Sequence, residues 1–342
     1  MPAPRPWYRF IKRLALTLGL FIGLCTLICW YLWRQYHAPA AAEGPLTVVY
    51  FAPGTGVQQM ATQLHHAGLI RQRHLFLFYT MFLHVTARLQ AGEYALRATM
   101  SPAQIIATLS QGRVMHHALT IPEGATLRDI ARLTEAKGLG TQSEILTRAR
   151  DASFIASRGL TVSSLEGYLF PETYHVPRGL TAQALLTMMV ATLRQHYTDE
   201  IAARGRRLGL TQHQVLTLAS LIEKEAQVDA ERPLISAVLQ NRLRRGMLLQ
   251  CDATVIYALG SAFDGNLRKT DMDYDSPYNT YRYAGLPPGP IANPGRRSIA
   301  AAVAPASVDY LYYVATRQHG THYFSTTLQE HNAAVQRYQR GP

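Results

Sequence analysis

Glu223 and Glu225 flank Lys224 at the end of an apolar run, Val215-Leu-Thr-Leu-Ala-Ser-Leu-Ile222, that reads as buried helix. A carboxyl group set against such a run has its charged form disfavoured, the condition a side chain needs to donate a proton near neutral pH. Glu223 is therefore a candidate catalytic acid. At about 100° per residue, Leu216, Ala219 and Ala226 share the side of Glu223, Lys224 points away, and Glu225 lies roughly 200° around the axis. The spacing predicts that the two carboxylates do not share one site while the segment stays helical. The plainer reading makes both of them boundary residues of an amphipathic helix.

A second feature with chemical potential runs from Tyr278 to Gly295: Tyr-Asn-Thr-Tyr-Arg-Tyr-Ala-Gly-Leu-Pro-Pro-Gly-Pro-Ile-Ala-Asn-Pro-Gly. No helix or sheet interior tolerates that density of proline and glycine. The expectation is an irregular, proline-stiffened stretch in which backbone N–H and C=O groups keep fixed directions and tyrosines offer stacking faces. Such a stretch suits a sugar. A rigid connector with incidental tyrosines is the competing reading. Asn293-Pro294 also reads as a helix start, with Asn293 as cap and Pro294 in the first turn, leading into 296–303.

The elements that must position these residues are mixed α+β, with more helix than strand. Residues 1–13 form a basic tail, 14–36 a membrane anchor, 37–44 an Ala/Pro linker, 45–118 a small α+β module and 119–342 a larger mixed α+β domain. In the module, a strand over 46–51 leads through a Pro-Gly turn into a helix ending near Gly68. A second helix starts around Arg73, a return strand covers 91–96, and Ser101 caps a helix to Leu109. It carries no constellation suited to chemistry, so binding or spacing is its default role. In the larger domain the periodicity predicts helices over 127–136, 144–150, 234–243, 253–259 and about 328–338, with a hairpin of 311–315 and 322–325.

Arg5, Arg9, Lys12 and Arg13 precede an uncharged stretch from Leu14 to Trp33, about the 20 residues needed to span a bilayer core. Basic residues on its N-terminal side predict a cytoplasmic N-terminus and export of the chain beyond the stretch. Trp7 and Tyr8 at one end, and Trp30, Tyr31, Trp33 and Tyr36 at the other, fit interfacial belts. Ala40-Ala41-Ala42 suggests the alternative of a cleaved signal peptide, but the apolar run is longer than a signal core. Cys25 and Cys29 lie inside the anchor and leave Cys251 alone beyond it, so the exported part has no intrachain disulfide, and no zinc-ligand spacing occurs. No cofactor is expected. The formal net charge of +12 calls for an acidic partner: nucleic acid, anionic lipid or a carboxylate-rich wall polymer. Nucleic acid fits least, given export and the lack of any recognisable motif for it.

Taken together, Leu218-Ala-Ser-Leu-Ile-Glu223-Lys-Glu225, Asn241-Arg-Leu243, Leu249-Gln-Cys-Asp252-Ala-Thr-Val-Ile-Tyr257, Tyr278-Asn-Thr-Tyr281 and Gly285-Leu-Pro-Pro-Gly-Pro-Ile-Ala-Asn-Pro-Gly295 resemble the motifs of the MltG (YceG-like) endolytic murein transglycosylases. Ala91-Gly-Glu-Tyr94, Ile121-Pro-Glu-Gly124, Leu165-Glu-Gly-Tyr-Leu-Phe-Pro-Glu-Thr-Tyr174 and the N-terminal anchor extend the resemblance over nearly the whole chain. It implies a single-pass inner-membrane enzyme with a LysM-like module and a periplasmic catalytic domain. Such an enzyme cuts peptidoglycan glycan strands internally and terminates nascent strands, with peptidoglycan synthases as candidate partners. The family's catalytic glutamate falls on Glu223, the first acid of the triplet. Cys251 stands where threonine is common in the family.

A lytic transglycosylase needs one carboxyl, which protonates the bridging oxygen between N-acetylmuramic acid and N-acetylglucosamine and then takes the proton of the muramic C6 hydroxyl as a 1,6-anhydro ring closes. Gln250, Asn279 and Tyr281, with Tyr168 and Asn293, are the candidate substrate-binding residues. Asp252, Glu166 and Glu172 keep open a muramidase, in which a second carboxylate activates water. A non-catalytic, membrane-anchored wall-binding factor is the reading of a different class.

Overall fold

The uncharged run from Leu14 to Trp33 forms the middle of one long helix, α1 (Pro6–His37). In this computed structural model residues 6–316 and 320–340 are described, with Pro6, Tyr8, Arg9 and Arg340 described by their backbone alone. Arg5, counted among the orienting basic residues, lies outside the described residues. Phe10–His37 is long and apolar enough to cross a membrane, and the middle of that helix has no buried surface.

The chain divides into two compact units: Met1–His117 with Pro177–Gly179, and Ala118–Val176 with Leu180–Pro342. In the first, β1 (Leu46–Phe51), α2 (Val57–His66), α3 (Arg73–Phe82), β2 (Gly92–Arg97) and α4 (Pro102–Ser110) follow α1. The strands pair antiparallel from Leu46↔Arg97 to Phe51↔Gly92. Because side chains alternate across a strand, Val49, Phe51, Tyr94 and Leu96 reach one core with Met60, Leu64, Phe76, Ile105 and Leu109. Ser101 caps α4, its hydroxyl accepting the Gln104 N–H while the Gln104 side chain accepts the Ser101 N–H. Two orphan donors are satisfied there.

The second unit holds most of the pair β3 (His116–Thr120) and β4 (Thr173–Pro177), and between them α5 (Leu127–Ala136), α6 (Gln142–Arg148) and α7 (Ala152–Ser157). Then come α8 (Ala182–His196), α9 (Asp199–Arg207), α10 (Gln212–Glu225), α11 (Arg232–Arg244), α12 (Asp252–Leu259) and α13 (Arg296–Ala302). A hairpin of β5 (Tyr312–Ala315) and β6 (His322–Ser325) precedes α14 (Leu328–Val335). The fold is mixed α+β with helix dominant, as expected. Helices α7, α8 and α9 were not expected from the periodicity, and their local signals are the caps Asp151, Thr181 and Thr198.

Helix α10 is the centre of the larger core. Thr211 caps it in a box with Gln214, and every residue from Val215 to Ile222 is buried, against α11, α12 and α13. The helix expected to start at Asn293 instead begins at Arg296, with Gly295 at the cap position and no side-chain cap bond. Asn293 cannot cap it because its side chain is claimed elsewhere, accepting the Leu169 N–H at 2.9 Å and donating to Ala125 O at 2.9 Å and to Glu166 at 3.2 Å.

Candidate active site

The two glutamates of the Glu-Lys-Glu triplet leave α10 in different directions. Glu223 is 3.0 Å from Arg232 Nη1 and accepts the Gly295 N–H at 2.8 Å. Its side chain and that of Arg232 are 6% and 9% exposed, so this is an enclosed ion pair. Arg232 also bonds Asp229 and Ser298, and Arg297 bonds Asp229. Glu123 belongs to the same cluster, its pKa raised by burial and by the negative charge of Glu223. The Glu123 carboxyl packs closely against Gly295, where a Cβ would displace it. Glu223 thereby ties the end of α10 to the starts of α11 and α13.

Glu225 faces the hairpin. As a whole residue it is half-buried, but its carboxyl is enclosed, and burial raises its pKa above the usual carboxylate range. The Tyr313 hydroxyl donates to it and pulls the other way, Asp252 pushes it up again, and His322 and Arg242 favour the ionised form. Burial outweighs these attractions. Arg242, itself buried, is fixed by the carbonyls of Leu311 at 2.7 Å and Leu249 at 2.9 Å and lies over the Tyr312 ring. Glu231 holds His322 in place twice, accepting its backbone N–H at 2.9 Å and meeting Nδ1 at 2.7 Å. Residue type alone did not single out Tyr313, Arg242 or His322; the Asn241-Arg-Leu243 motif was the one available signal for any of them.

Of the expected substrate-binding residues, two come to the Glu225 side. Tyr281 donates to Asp252 Oδ1 at 2.5 Å, and burial, that bond and nearby negative charge, Glu225 included, raise its pKa. Gln250 is exposed, with Oε1 3.5 Å from Arg242 Nη1, and has φ +48°. That left-handed backbone costs a non-glycine residue of order 1 kcal/mol, and it re-aims the chain into Cys251 and Asp252. Cys251 is a buried free thiol, its pKa pushed well up by burial, so it is inert rather than nucleophilic.

Asn279 and Asn293 are bonded internally, and Tyr168 lies at a different cleft. Asn279 is fully buried, donating to the carbonyls of Met272 and Tyr274 and accepting the Tyr281 N–H. Asn293 is equally buried. Tyr168 meets His213 Nδ1 at 2.9 Å and lines a cleft of about 620 Å3 with Tyr257 and Tyr278. His213 sits at the opposite end of α10 from Glu225, about 18 Å away at 1.5 Å per residue, so Tyr168 does not face that carboxyl. The Pro/Gly loop is buried at Pro287 and from Gly289 to Gly295 and exposed at Pro288: Pro288 O meets His213, and the Ile291 N–H reaches Ser220 at 3.0 Å. Gly167, at φ +80°, lets Pro290 press onto it where a Cβ would be 2.2 Å away.

Glu166 caps α5, accepting the Leu127 N–H through both oxygens at 3.0 and 3.1 Å, and its pKa is pushed up to about 7 by burial. Glu172 is exposed. Neither faces Glu225 as Asp252 does.

A model of the YceG-like family matches residues 49–337. The chain belongs to that family. It is 35% identical over 318 residues to an endolytic murein transglycosylase of Bacillus subtilis, covering 88% of this chain and 87% of that one. An endolytic murein transglycosylase of Streptococcus pneumoniae is 32% identical over 82% of this chain, which spans 56% of that longer protein. The crystal structure of a YceG-like protein from Listeria monocytogenes superposes with a TM-score of 0.59 at 34% identity, covering 85% of this chain and all of that one. The YceG-like match includes both units, and α10, α12 and the hairpin that surround Glu225 lie within it.

Proposed function

We infer that this YceG-like chain is an endolytic murein transglycosylase and that Glu225, rather than the Glu223 selected from sequence, is its acid. One observation carries the assignment: the Glu225 carboxyl is enclosed with a raised pKa beside a tyrosine hydroxyl, whereas Glu223 is engaged by a buried guanidinium and a backbone N–H. Protonated Glu225 gives its proton to the bridging oxygen as the bond from the muramic anomeric carbon breaks. Its carboxylate then takes the C6 hydroxyl proton while O6 bonds to that carbon, leaving a 1,6-anhydro end and no water consumed. Tyr313 steadies the carboxylate between the two steps, and the Arg242 and His322 side chains favour its charged form. Gln250 and Tyr281 are the polar groups placed to hold the sugar.

Asp252 is the observation that favours a muramidase instead, since an ionised carboxylate near Glu225 could activate water. Its bond to Tyr281 supports a positioning role. The order β1-α2-α3-β2 supports a LysM-like module for binding glycan, and α1 supports a retained inner-membrane anchor with the larger unit in the periplasm, where peptidoglycan synthases are candidate partners.

Mass spectrometry of glycan strands digested by the purified enzyme tests the reaction: ends lighter by one water establish the transglycosylase, and reducing ends the muramidase. Glu225→Gln is expected to lower cleavage at least about 100-fold with the fold retained, and Glu223→Gln to leave measurable cleavage in the folded fraction. The reverse ranking would return the acid to Glu223.

A further inference from the structure

Tyr79, on α3, donates its hydroxyl to the carbonyl of Leu32 at 2.8 Å, and its ring centroid is 4.9 Å from that of Tyr36. Leu32 and Tyr36 belong to the last turns of the Phe10–His37 stretch that is apolar enough to cross a bilayer. The contact therefore sets the depth of α3. At about 1.5 Å per residue, Leu32 lies roughly 8 Å below His37 along the axis. Trp30 and Trp33, both more than half exposed, and Arg34 occupy the same turns, and tryptophan with arginine marks the headgroup level.

Helix α3 presents an apolar face beside this contact. Phe78, Met81 and Phe82 are 42%, 67% and 70% exposed, and Leu83 follows at 41%. The rings of Phe78 and Phe82, one turn apart, stack with centroids 5.8 Å apart. Around the axis Phe82 falls between Phe78 and Tyr79, about 40° from one and 60° from the other, so the exposed patch is continuous with the face that touches α1. A run of exposed aromatic and Met side chains is unusual on a surface that meets only water. It is the composition by which an interfacial helix buries one face at the boundary of headgroups and acyl chains.

We propose that α3 is a second membrane contact, with Phe78, Met81, Phe82 and Leu83 inserted into the headgroup–acyl boundary of the leaflet from which the C-terminal end of α1 emerges. This rests on the reading of α1 as a retained anchor. The occupant of the patch is lipid, because the hydrogen bond from Tyr79 to Leu32 holds the patch at the depth where α1 leaves the hydrocarbon. The first unit is then fixed to the bilayer at two points, the spanning helix and the α3 patch, and cannot spin freely about α1.

The test uses the full chain with Trp7, Trp30 and Trp33 replaced by Phe, reconstituted in phosphatidylethanolamine–phosphatidylglycerol vesicles, with Phe82→Trp as the sole tryptophan, excited selectively over the tyrosines. Expected are a blue-shifted emission and loss of at least half the intensity when the lipids carry bromine near the top of the acyl chains. Met81→Trp provides a second probe should Phe82→Trp fold poorly. Water-like emission, unquenched by brominated lipid in chains that resist alkaline carbonate extraction, overturns the proposal and leaves the anchor standing. Release of the chain by carbonate overturns the anchor reading, and the proposal with it.

Discussion

Glu223 and Glu225 are two residues apart on α10, yet one carboxylate is paired with Arg232 at 3.0 Å and the other is held by Tyr313 on β5. Helix geometry separates them by roughly 200°. One therefore anchors helix ends while the other faces the hairpin, and each assignment can be tested by itself.

Replacing Glu223 by Ala removes one of the two carboxylates that pair with the enclosed Arg232 guanidinium, leaving Asp229 at 3.1 Å as its remaining partner. Breaking a fully buried pair costs about 3–5 kcal/mol, and the remaining bond to Asp229 lowers the expected loss to about 1–3 kcal/mol. Urea unfolding of Glu223→Ala should show a correspondingly lower midpoint with an unchanged slope, while Glu225→Gln should unfold close to the parent.

With Glu225 as the proposed acid, catalysis is expected to fall as pH rises through its raised pKa, so the alkaline limb of the rate profile reports it. The Tyr313 hydroxyl favours the ionised form, and Asp252 disfavours it. Tyr313→Phe should thus move the alkaline limb to higher pH and Asp252→Asn to lower pH. Shifts in the same direction would contradict the arrangement around Glu225.

Glu166 is raised from 4.5 to about 7 in the folded protein. A carboxyl shifted upward contributes its stability fully below pH 4.5, and that stability is lost as pH rises through about 7. From pH 5 to 8 the loss is roughly 2 kcal/mol at 1.36 kcal/mol per unit. Denaturation of Glu166→Gln across that range should lack this decline relative to the parent.

Asn293→Ala removes one acceptor and two donor contacts in a fully buried setting. Each orphaned partner costs on the order of 1 kcal/mol or more. The variant should lose several degrees in Tm. If Asn293 bound sugar, KM would rise instead at little cost in Tm.

The hairpin of β5 and β6, the Ser101-capped α4 and the long apolar N-terminal helix were all legible from residues alone, because alternation, caps and a long uncharged run act within one or two turns of chain. The burial of Val215 to Ile222 was equally plain from their apolar run. Local pattern could also tell that Glu223 and Glu225 diverge.

Residue order alone was thus enough for the long apolar N-terminal helix, the mixed α+β class and a carboxylate-bearing helix at the centre of the larger unit. Which carboxylate is paired and which is enclosed beside a hydroxyl emerged only on folding, since Gly295 meets Glu223 and Tyr313 meets Glu225 from far along the chain. The same holds for Asn279 and Asn293, whose buried side chains are bonded to surrounding backbone groups. The physical cause is common to all of them: the state of a polar group is set by the donors, charges and low-dielectric walls around it, and those arrive from elements that a one-dimensional pattern does not bring together.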